Sequence, residues 1–148
     1  PYIDHIIAKK FEVCDNFMKY NWSCLCWNNK FEIIWEFESF YLCHCNYCRK
    51  DSWSSNWSNL FSNNAKLNWS KWGIDIKIYN LPKTKHTKCF CNNCGSALPY
   101  VIDWTIVVPT GSLDGKVDFQ IDAHIFYKSR VSWYDSLNNT KKFDALPK

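Results

Sequence analysis

Clustered cysteines constrain this 148-residue chain more than any other feature, because seven of its nine cysteines fall into three short motifs. The motifs are, in chain order, Cys24-Leu-Cys26, Cys43-His-Cys45-Asn-Tyr-Cys48 and Cys91-Asn-Asn-Cys94. Such spacing brings sulfurs to a common point, as a tetrahedral zinc ion at about 2.3 Å from each thiolate requires. Disulfides are the rival interpretation, but they need an oxidising compartment and leave one thiol of an odd set unpaired. The pattern predicts zinc binding in a cytoplasmic protein.

Two partitions of the zinc ligands fit this spacing. The pattern Cys-x-Cys-x-x-Cys occurs at 43–48 and again at 89–94, so two equal triads are conceivable. Alternatively, the first and third motifs together form a closed four-thiolate site, and the middle motif is an open triad. Four thiolates are typical of a structural zinc, whereas three leave a position for water or substrate. In the second partition Cys14 and Cys89 are spare, and we expect them to pack as small buried hydrophobes.

Alternation of apolar and polar residues predicts that most of the chain is β-structure. One candidate strand alternates from 31 to 37 and another from 74 to 78. Further strand-like runs cover 57–61, 88–90, 97–102, 105–109 and 121–127. The helix expected in the middle of the chain covers 47–52, and the tail after Ser136 has the composition of a loop. Since no linker or charge block divides the chain, we predict a single, mostly-β domain clamped by zinc.

The composition, net charge and apolar runs of the chain limit the kinds of binding partner that we expect. A hydrophobic fraction of 47% allows a real core and excludes a disordered chain. The net charge of +4 is too small for a dedicated nucleic-acid binder. The longest apolar runs are triplets such as 106–108, far short of the roughly 20 residues that span a membrane. We therefore expect neither a membrane nor a nucleic acid as a partner.

An ordered set of motifs runs from about Asn21 to about Phe143. It reads Cys24-Leu-Cys26 with Phe31-Glu32, Cys43-His-Cys45-x-x-Cys48-Arg49-Lys50, Phe90-Cys91-x-x-Cys94-Gly95-Ser96, Gly111-Ser112-Leu113-Asp114, His124-Ile125-Phe126 and Trp133. This order and spacing resemble the glutathione-dependent formaldehyde-activating enzymes and their wider zinc-binding relatives. The resemblance covers nearly the whole chain.

The resemblance implies a zinc-stabilised β fold of the Mss4-like type. From the organisation of the chain we expect an N-terminal extension at 1–18 and a zinc-binding domain at 19–148. The resemblance also implies the second partition of ligands, with two zinc ions. The structural zinc would be held by Cys24, Cys26, Cys91 and Cys94, and the second, open zinc by Cys43, Cys45 and Cys48. The activity implied is that of a carbon–sulfur lyase, an S-(hydroxymethyl)glutathione synthase that condenses glutathione with formaldehyde or a related aldehyde.

Residues around the middle motif are candidates for the chemistry. Three thiolates and Zn²⁺ carry a net charge of about −1, so positive charge should help to hold the site and attract an anionic thiol. Arg49 and Lys50 are the candidates for substrate binding, and a solvated helix face is their structural alternative. His44 is a weak candidate for proton transfer, because a residue between two ligands can also point away from the metal. We expect His124 to be a hydrogen-bonded core histidine and 111–114 to be a structural turn.

Two other functional classes compete with the enzyme. A non-catalytic zinc-binding interaction module would share the fold, and aromatic richness would suit base stacking. A methionine sulfoxide reductase ranks last, because those enzymes hold zinc with two Cys-x-x-Cys pairs and use a separate cysteine. Fold alone does not choose between these functions.

Tryptophan and glycine occur in abnormal proportion, with nine tryptophans and four glycines. Six tryptophans stand where the resembling family has glycine or where the chain is turn-like: Trp22, Trp27, Trp35, Trp53, Trp69 and Trp104. Trp133, by contrast, stands where the family has tryptophan. One hypothesis is that several of the six are a decoding artefact, since some bacterial lineages read UGA as glycine. The alternative is a genuinely tryptophan-rich member of the family.

Overall fold

The predicted β-structure takes the form of ten short strands in the computed structural model, which describes residues 19–34, 36–70, 75–115 and 118–147. The strands are β1 (Lys19–Ser23), β2 (Lys30–Ile34), β3 (Ser39–Cys43), β4 (Trp57–Ser62), β5 (Lys66–Trp69), β6 (Ile76–Asn80), β7 (Thr87–Cys91), β8 (Tyr100–Ile102), β9 (Thr105–Pro109) and β10 (Ala123–Ile125). One α-helix, α1 (Asn46–Ser52), follows β3. Short 3-10 helices cover Thr110–Ser112, Tyr127–Ser129 and Ser132–Asn139.

These strands form three sheets. A three-stranded sheet has the order β1-β2-β5, a five-stranded sheet the order β10-β3-β4-β9-β8, and β6 and β7 form a two-stranded hairpin. All pairings are antiparallel except that of β10 with β3. The cysteine motifs lie at strand ends: the first follows β1, the second begins at the last residue of β3, and the third begins at the last residue of β7. The sheets therefore fix where the sulfurs meet.

A shared core joins the sheets. Ile33 of β2, Leu60 of β4 and Val108 of β9 are fully buried in one apolar cluster. Cys89 of β7 belongs to the same cluster, and its burial raises the pKa of its thiol to about 12. Cys89 thus packs as a small hydrophobe, as expected from the sequence. Cys14 and the predicted extension at 1–18 lie outside the described residues.

The sequence located some elements better than others. β9 covers 105–109 as predicted, and α1 begins one residue before the expected start. Three strands were not predicted at all: β1, β3 and β5. The run at 97–102 is a strand only from Tyr100 to Ile102, and the tail expected to be loop contains the end of a 3-10 helix. Ile78 is an apolar position of the strand predicted at 74–78, but its side chain is exposed. The reason is that β6 pairs with β7 alone, in a sheet of two strands.

In the part of the chain that the structure describes, no helix has the length and apolar character needed to cross a membrane.

We expect Leu60→Ala to lower the free energy of unfolding by about 3 kcal/mol, because it removes a fully buried side chain and leaves a cavity among three sheets. Urea denaturation followed by circular dichroism would measure the loss. Leu146→Ala is the matched control, since this leucine is 89% exposed. Equal losses in the two variants would contradict the assignment of the core.

Candidate metal centres

The first and third cysteine motifs converge on one point, although 65 residues separate Cys26 from Cys91. Cys24 and Cys26 lie in the turn that follows β1, whereas Cys91 ends β7 and Cys94 lies in the next turn. All four Sγ atoms lie within 4.8 Å of one another. Cys24 and Cys91 are buried, and the other two cysteines are half-buried. We call this set the four-cysteine cluster.

The spacing of these sulfurs fits a tetrahedral ion. Sγ of Cys24 lies 3.5 Å from Sγ of Cys26, which lies 3.7 Å from Sγ of Cys91. Four sulfurs at about 2.3 Å from a zinc ion would be separated by about 3.8 Å. Disulfide bonds do not compete, because the eight cysteines of the described segments are all free. The four-cysteine cluster can therefore hold a metal ion of the zinc type.

Asn29 is almost completely buried and donates hydrogen bonds to two sulfurs of the four-cysteine cluster. Its backbone amide donates to Sγ of Cys24 over 3.3 Å, and its Nδ2 donates to Sγ of Cys91 over 3.1 Å. The same side chain accepts from the amide of Asp75 and donates to its carbonyl oxygen. Sulfurs that accept such hydrogen bonds are stabilised as thiolates. Sequence analysis missed Asn29, since a lone asparagine in a loop carries no signal of these distant contacts.

Protonation differs among the sulfurs of this cluster. Burial raises the pKa of the Cys24 thiol to about 11. At Cys94, burial also raises the pKa, but hydrogen bonds from Ser96 and Cys26 together outweigh it and lower the pKa to about 6. A metal ion that binds all four sulfurs must therefore displace protons from some of them.

The middle motif forms a second group, which we call the three-cysteine cluster. Cys43 ends β3, Cys45 is the N-cap of α1 and Cys48 lies in its first turn. Their Sγ atoms lie within 4.8 Å of one another. The amide of Cys48 donates to Sγ of Cys45 over 3.3 Å, which fixes the loop around the sulfurs. Trp57 of β4 pairs with Cys43 and packs on the buried side of this cluster.

The two buried thiols of the three-cysteine cluster, Cys43 and Cys48, differ in protonation. A hydrogen bond from Cys48 lowers the pKa of Cys43 to about 6, and the same contact raises the pKa of Cys48. One thiolate is thus stabilised at neutral pH without a metal, and a bound cation would stabilise the others. Among residues 19–34, 36–70, 75–115 and 118–147, no fourth cysteine, histidine or carboxylate joins this group. The cluster can hold a metal ion and leave a coordination position open.

Arg49 and Lys50, the predicted substrate-binding residues, lie on α1 beside the three-cysteine cluster. The half-buried Arg49 donates from Nε to the carbonyl oxygen of His44 over 3.2 Å and from Nη2 to Oδ1 of Asn46. Lys50 is exposed. The two cations therefore differ: Arg49 braces the loop that carries the cysteines, whereas Lys50 extends into solvent.

His44 is fully buried, with its ring in an aromatic group rather than at the surface. Its Nε2 lies 2.9 Å from Nδ1 of His124, and its ring centroid lies 4.6 Å from that of Tyr134. Burial lowers the pKa of His44, so the neutral form is favoured. His124 is hydrogen-bonded as expected, but it is exposed, so the prediction of a core histidine is wrong. The short strand β10 leaves its ring at the edge of the five-stranded sheet.

The segment at 111–114 is a turn, as expected. The 3-10 helix Thr110–Ser112 begins it, and the amide of Leu113 donates to the carbonyl of Thr110. Asp114 accepts a hydrogen bond from the hydroxyl of Ser23 over 2.9 Å, which ties the turn to the end of β1. The turn thus stabilises the strand that leads into the four-cysteine cluster.

Asp51 connects α1 to the β6–β7 hairpin. Its carboxylate contacts Nε2 of His86, and its second oxygen lies 3.4 Å from Nζ of Lys88. All three side chains are mostly buried. After the hydrogen bonds from Cys48 and Cys45, electrostatic interaction with His86 also contributes to lowering the pKa of Cys43. Sequence analysis assigned His86 no role, because its partner lies 35 residues earlier in the chain.

Together, the fold and these clusters define a class: a small, mostly-β domain with two cysteine clusters that can hold metal ions. Comparison with known families makes this class specific. The family described as glutathione-dependent formaldehyde-activating enzyme matches residues 19–129. The chain belongs to this family, as the resemblance in its motifs implied.

Solved structures support the fold. A crystal structure of a Rhodobacter sphaeroides protein aligns with a TM-score of 0.53 at 17% identity, covering 72% of this chain and 99% of the other. At this identity the likeness concerns the fold alone. No curated protein sequence matches the chain.

We expect Asn29→Ala to weaken zinc retention about tenfold or more, because it removes a hydrogen bond to Cys91 and leaves the backbone amide of Asp75 without its acceptor. Competition with a chromophoric chelator would measure zinc affinity. The neighbouring Asn28→Ala is the control, since Asn28 is exposed. Unchanged zinc affinity in the Asn29 variant would show that this residue does not support the cluster.

Proposed function

We propose that this protein is a zinc-dependent carbon–sulfur lyase that condenses glutathione with formaldehyde or a related aldehyde to S-(hydroxymethyl)glutathione. In this proposal Cys24, Cys26, Cys91 and Cys94 hold a structural zinc ion. Cys43, Cys45 and Cys48 hold the second zinc ion, at which the thiol reacts. The proposal includes a zinc-binding domain at 19–148, an N-terminal extension at 1–18 and a cytoplasmic location, where free cysteines are the rule.

One observation carries the proposal: the three-cysteine cluster has no fourth protein ligand among the described residues, in a chain whose family is named for a glutathione reaction. A closed four-thiolate site has no room for a substrate, whereas a three-ligand site does. The partial exposure of Cys45 gives one side of the cluster access to solvent. The three-cysteine cluster is therefore the part of the domain suited to a reaction, and the four-cysteine cluster is suited to stability.

The reaction needs no change of oxidation state. The glutathione thiol loses its proton, its sulfur forms a bond to the carbonyl carbon of formaldehyde, and the carbonyl oxygen gains a proton to become a hydroxyl group. The reverse reaction breaks the same carbon–sulfur bond. A zinc ion bound at this site would supply Lewis acidity that favours the thiolate form of the substrate. The protein supplies the orientation of the two reactants.

Arg49 and Lys50 have separate tasks in this proposal. Glutathione carries carboxylates that are ionised at neutral pH, so an exposed cation next to the site can attract it. Lys50 suits that task because its side chain is exposed on α1. Arg49 is already engaged with the carbonyl of His44 and with Asn46, so its main task is to hold the cysteine loop while its charge offsets the thiolates.

His44 suits a positioning task better than proton transfer to substrate. Its backbone amide donates to the carbonyl of Ile125 over 3.0 Å, and its ring is engaged with His124. Both contacts hold the residue between Cys43 and Cys45 in place. The orientation of those two cysteines then depends on the end of β3 and on β10.

Cysteine variants test the assignment of the two sites. We expect Cys48→Ala to bind one zinc ion per chain in place of two and to lose formation of S-(hydroxymethyl)glutathione. We expect Cys24→Ala to unfold at a markedly lower temperature, because a structural zinc contributes directly to folding. Elemental analysis would count zinc, and nuclear magnetic resonance with ¹³C-formaldehyde would follow the adduct.

Cys89→Ala is the matched control for these variants, because Cys89 is buried but belongs to neither cluster. It should keep two zinc ions and the activity. An active Cys48→Ala variant would refute the proposed site. A wild-type protein with two zinc ions that neither binds glutathione nor changes the rate of adduct formation would favour a non-catalytic interaction module.

We expect Lys50→Gln to raise KM for glutathione about threefold and to leave kcat unchanged, because an exposed cation contributes weakly and to binding only. The effect should shrink at high salt. Initial rates at varied glutathione concentration would measure both constants. Lys66→Gln, at an exposed position on β5, is the control. Equal KM values in the two variants would remove Lys50 from the substrate site.

A further inference from the structure

Among the residues that the structure describes, three tryptophans have a backbone conformation that favours glycine. The φ angle is +63° at Trp27, +54° at Trp53 and +68° at Trp104. A residue with a β-carbon is strained in this left-handed region, and the few residues that tolerate it are asparagine and aspartate rather than large aromatics. The three positions lie in different turns, so each can be judged by the turn that it completes.

Position 104 completes a β-hairpin. Ile102 of β8 pairs with Thr105 of β9, so Asp103 and Trp104 form a two-residue turn between the strands. Both turn residues have positive φ, +46° and +68°, which defines a type I′ turn. Asp-Gly is one of the preferred sequences for this turn, since glycine suits its second position. The aspartate is present, and tryptophan stands where glycine belongs.

Position 53 ends α1. Trp53 is left-handed, and its backbone amide donates to the carbonyl oxygen of Arg49. This is the C-terminal capping geometry in which glycine is the usual residue. The helix that this cap ends is the one that carries Cys48 of the three-cysteine cluster.

Trp27 can be compared directly with Gly95, which occupies the equivalent place after the third cysteine motif. The amide of Trp27 donates to the carbonyl of Cys24, and the amide of Gly95 donates to the carbonyl of Cys91, both over 2.9 Å. Each residue directly follows the second cysteine of its motif. The φ angle is +63° at Trp27 and +73° at Gly95. The first hydrogen bond spans three residues and the second spans four. Each of the two loops around the four-cysteine cluster nevertheless ends in a left-handed residue, which is tryptophan in the first loop and glycine in the second.

The indole rings at these positions have little packing to offset the strain. Trp53 and Trp104 are each 90% exposed, and Trp27 is 63% exposed. The ring of Trp27 lies 5.7 Å from Nζ of Lys30, a cation–π contact of small value at the surface. Trp57, in contrast, is buried against the three-cysteine cluster. Tryptophan is normally a highly buried residue on average, so the three exposed rings are unusual.

From these observations we infer that positions 27, 53 and 104 are glycine in the protein as its own cell produces it, through codons read there as glycine. Positive φ alone does not make this distinction, since Lys83 and Phe126 also have it, at +62° and +52°. The three tryptophans are distinguished because they also occupy turns and a helix cap where glycine is preferred. Trp22 and Trp69 have no positive φ, and Trp35 lies outside the described residues. The inference concerns the identity of the residues and is independent of the proposed activity.

Peptide mapping by mass spectrometry of the protein purified from its native cells tests the inference directly. Peptides that span 27, 53 and 104 should each be lighter than the printed sequence by the difference between a tryptophan and a glycine residue. Tryptophan at these three positions in the native protein would overturn the inference.

Recombinant variants test the physical argument separately. Trp104→Gly and Trp53→Gly should each raise Tm by about 3 °C or more, because the strain at positive φ is relieved. Trp104→Ala and Trp53→Ala are the matched controls, since they remove the ring but keep a β-carbon. A Tm for the glycine variants that does not exceed that of the alanine variants would contradict the argument. Trp27→Gly should also slow the loss of zinc to a chelator relative to Trp27→Ala.

Discussion

Convergence of sulfurs from distant parts of the chain is the constraint on which the rest of the structure depends. Four cysteines contributed by the ends of β1 and β7 lie within 4.8 Å of one another. Thiolates this close repel each other unless a cation binds between them, so cluster and cation stabilise each other. The sheets supply the geometry: β1 pairs with β2, β7 pairs with β6, and the core residues of all three sheets hold these strands together. A small domain buries a limited apolar core, so bound metal ions would add to the stability of its folded state.

Side-chain contacts connect the elements that carry the two cysteine clusters. Asp51 of α1 contacts His86 and Lys88 of the β6–β7 hairpin, and β7 ends at Cys91 of the four-cysteine cluster. The helix of the open cluster is thereby braced against the strand that enters the closed one. This contact is consistent with the proposed roles of the two sites, in which one metal ion stabilises the fold and the other binds the substrate. In the proposed function, the rigid site orients the thiol and the exposed face of α1 attracts it.

Features that depend on local spacing could be predicted from the sequence, whereas features that depend on tertiary contacts could not. The cysteine motifs, β9 and α1 were visible because their signals lie within a few residues. β3 was missed because its residues do not alternate between buried and exposed positions. β1 does alternate from Lys19 to Trp22, but this short run was not recognised as a strand. Asn29 and the Asp51–His86 contact were missed because their partners are 35 or more residues away. Turn-like positions of Trp53 and Trp104 were suspected from the sequence, but only the φ angles identify them as left-handed.

X-ray absorption at the zinc edge would test the central claim of one closed and one open site most directly. Four sulfur ligands at one zinc ion and three at the other predict an average of about 3.5 sulfurs per zinc at about 2.3 Å. Saturating glutathione should raise this average to about 4, as its sulfur occupies the open position. An average of 4 sulfurs without glutathione, unchanged when glutathione is added, would contradict the account.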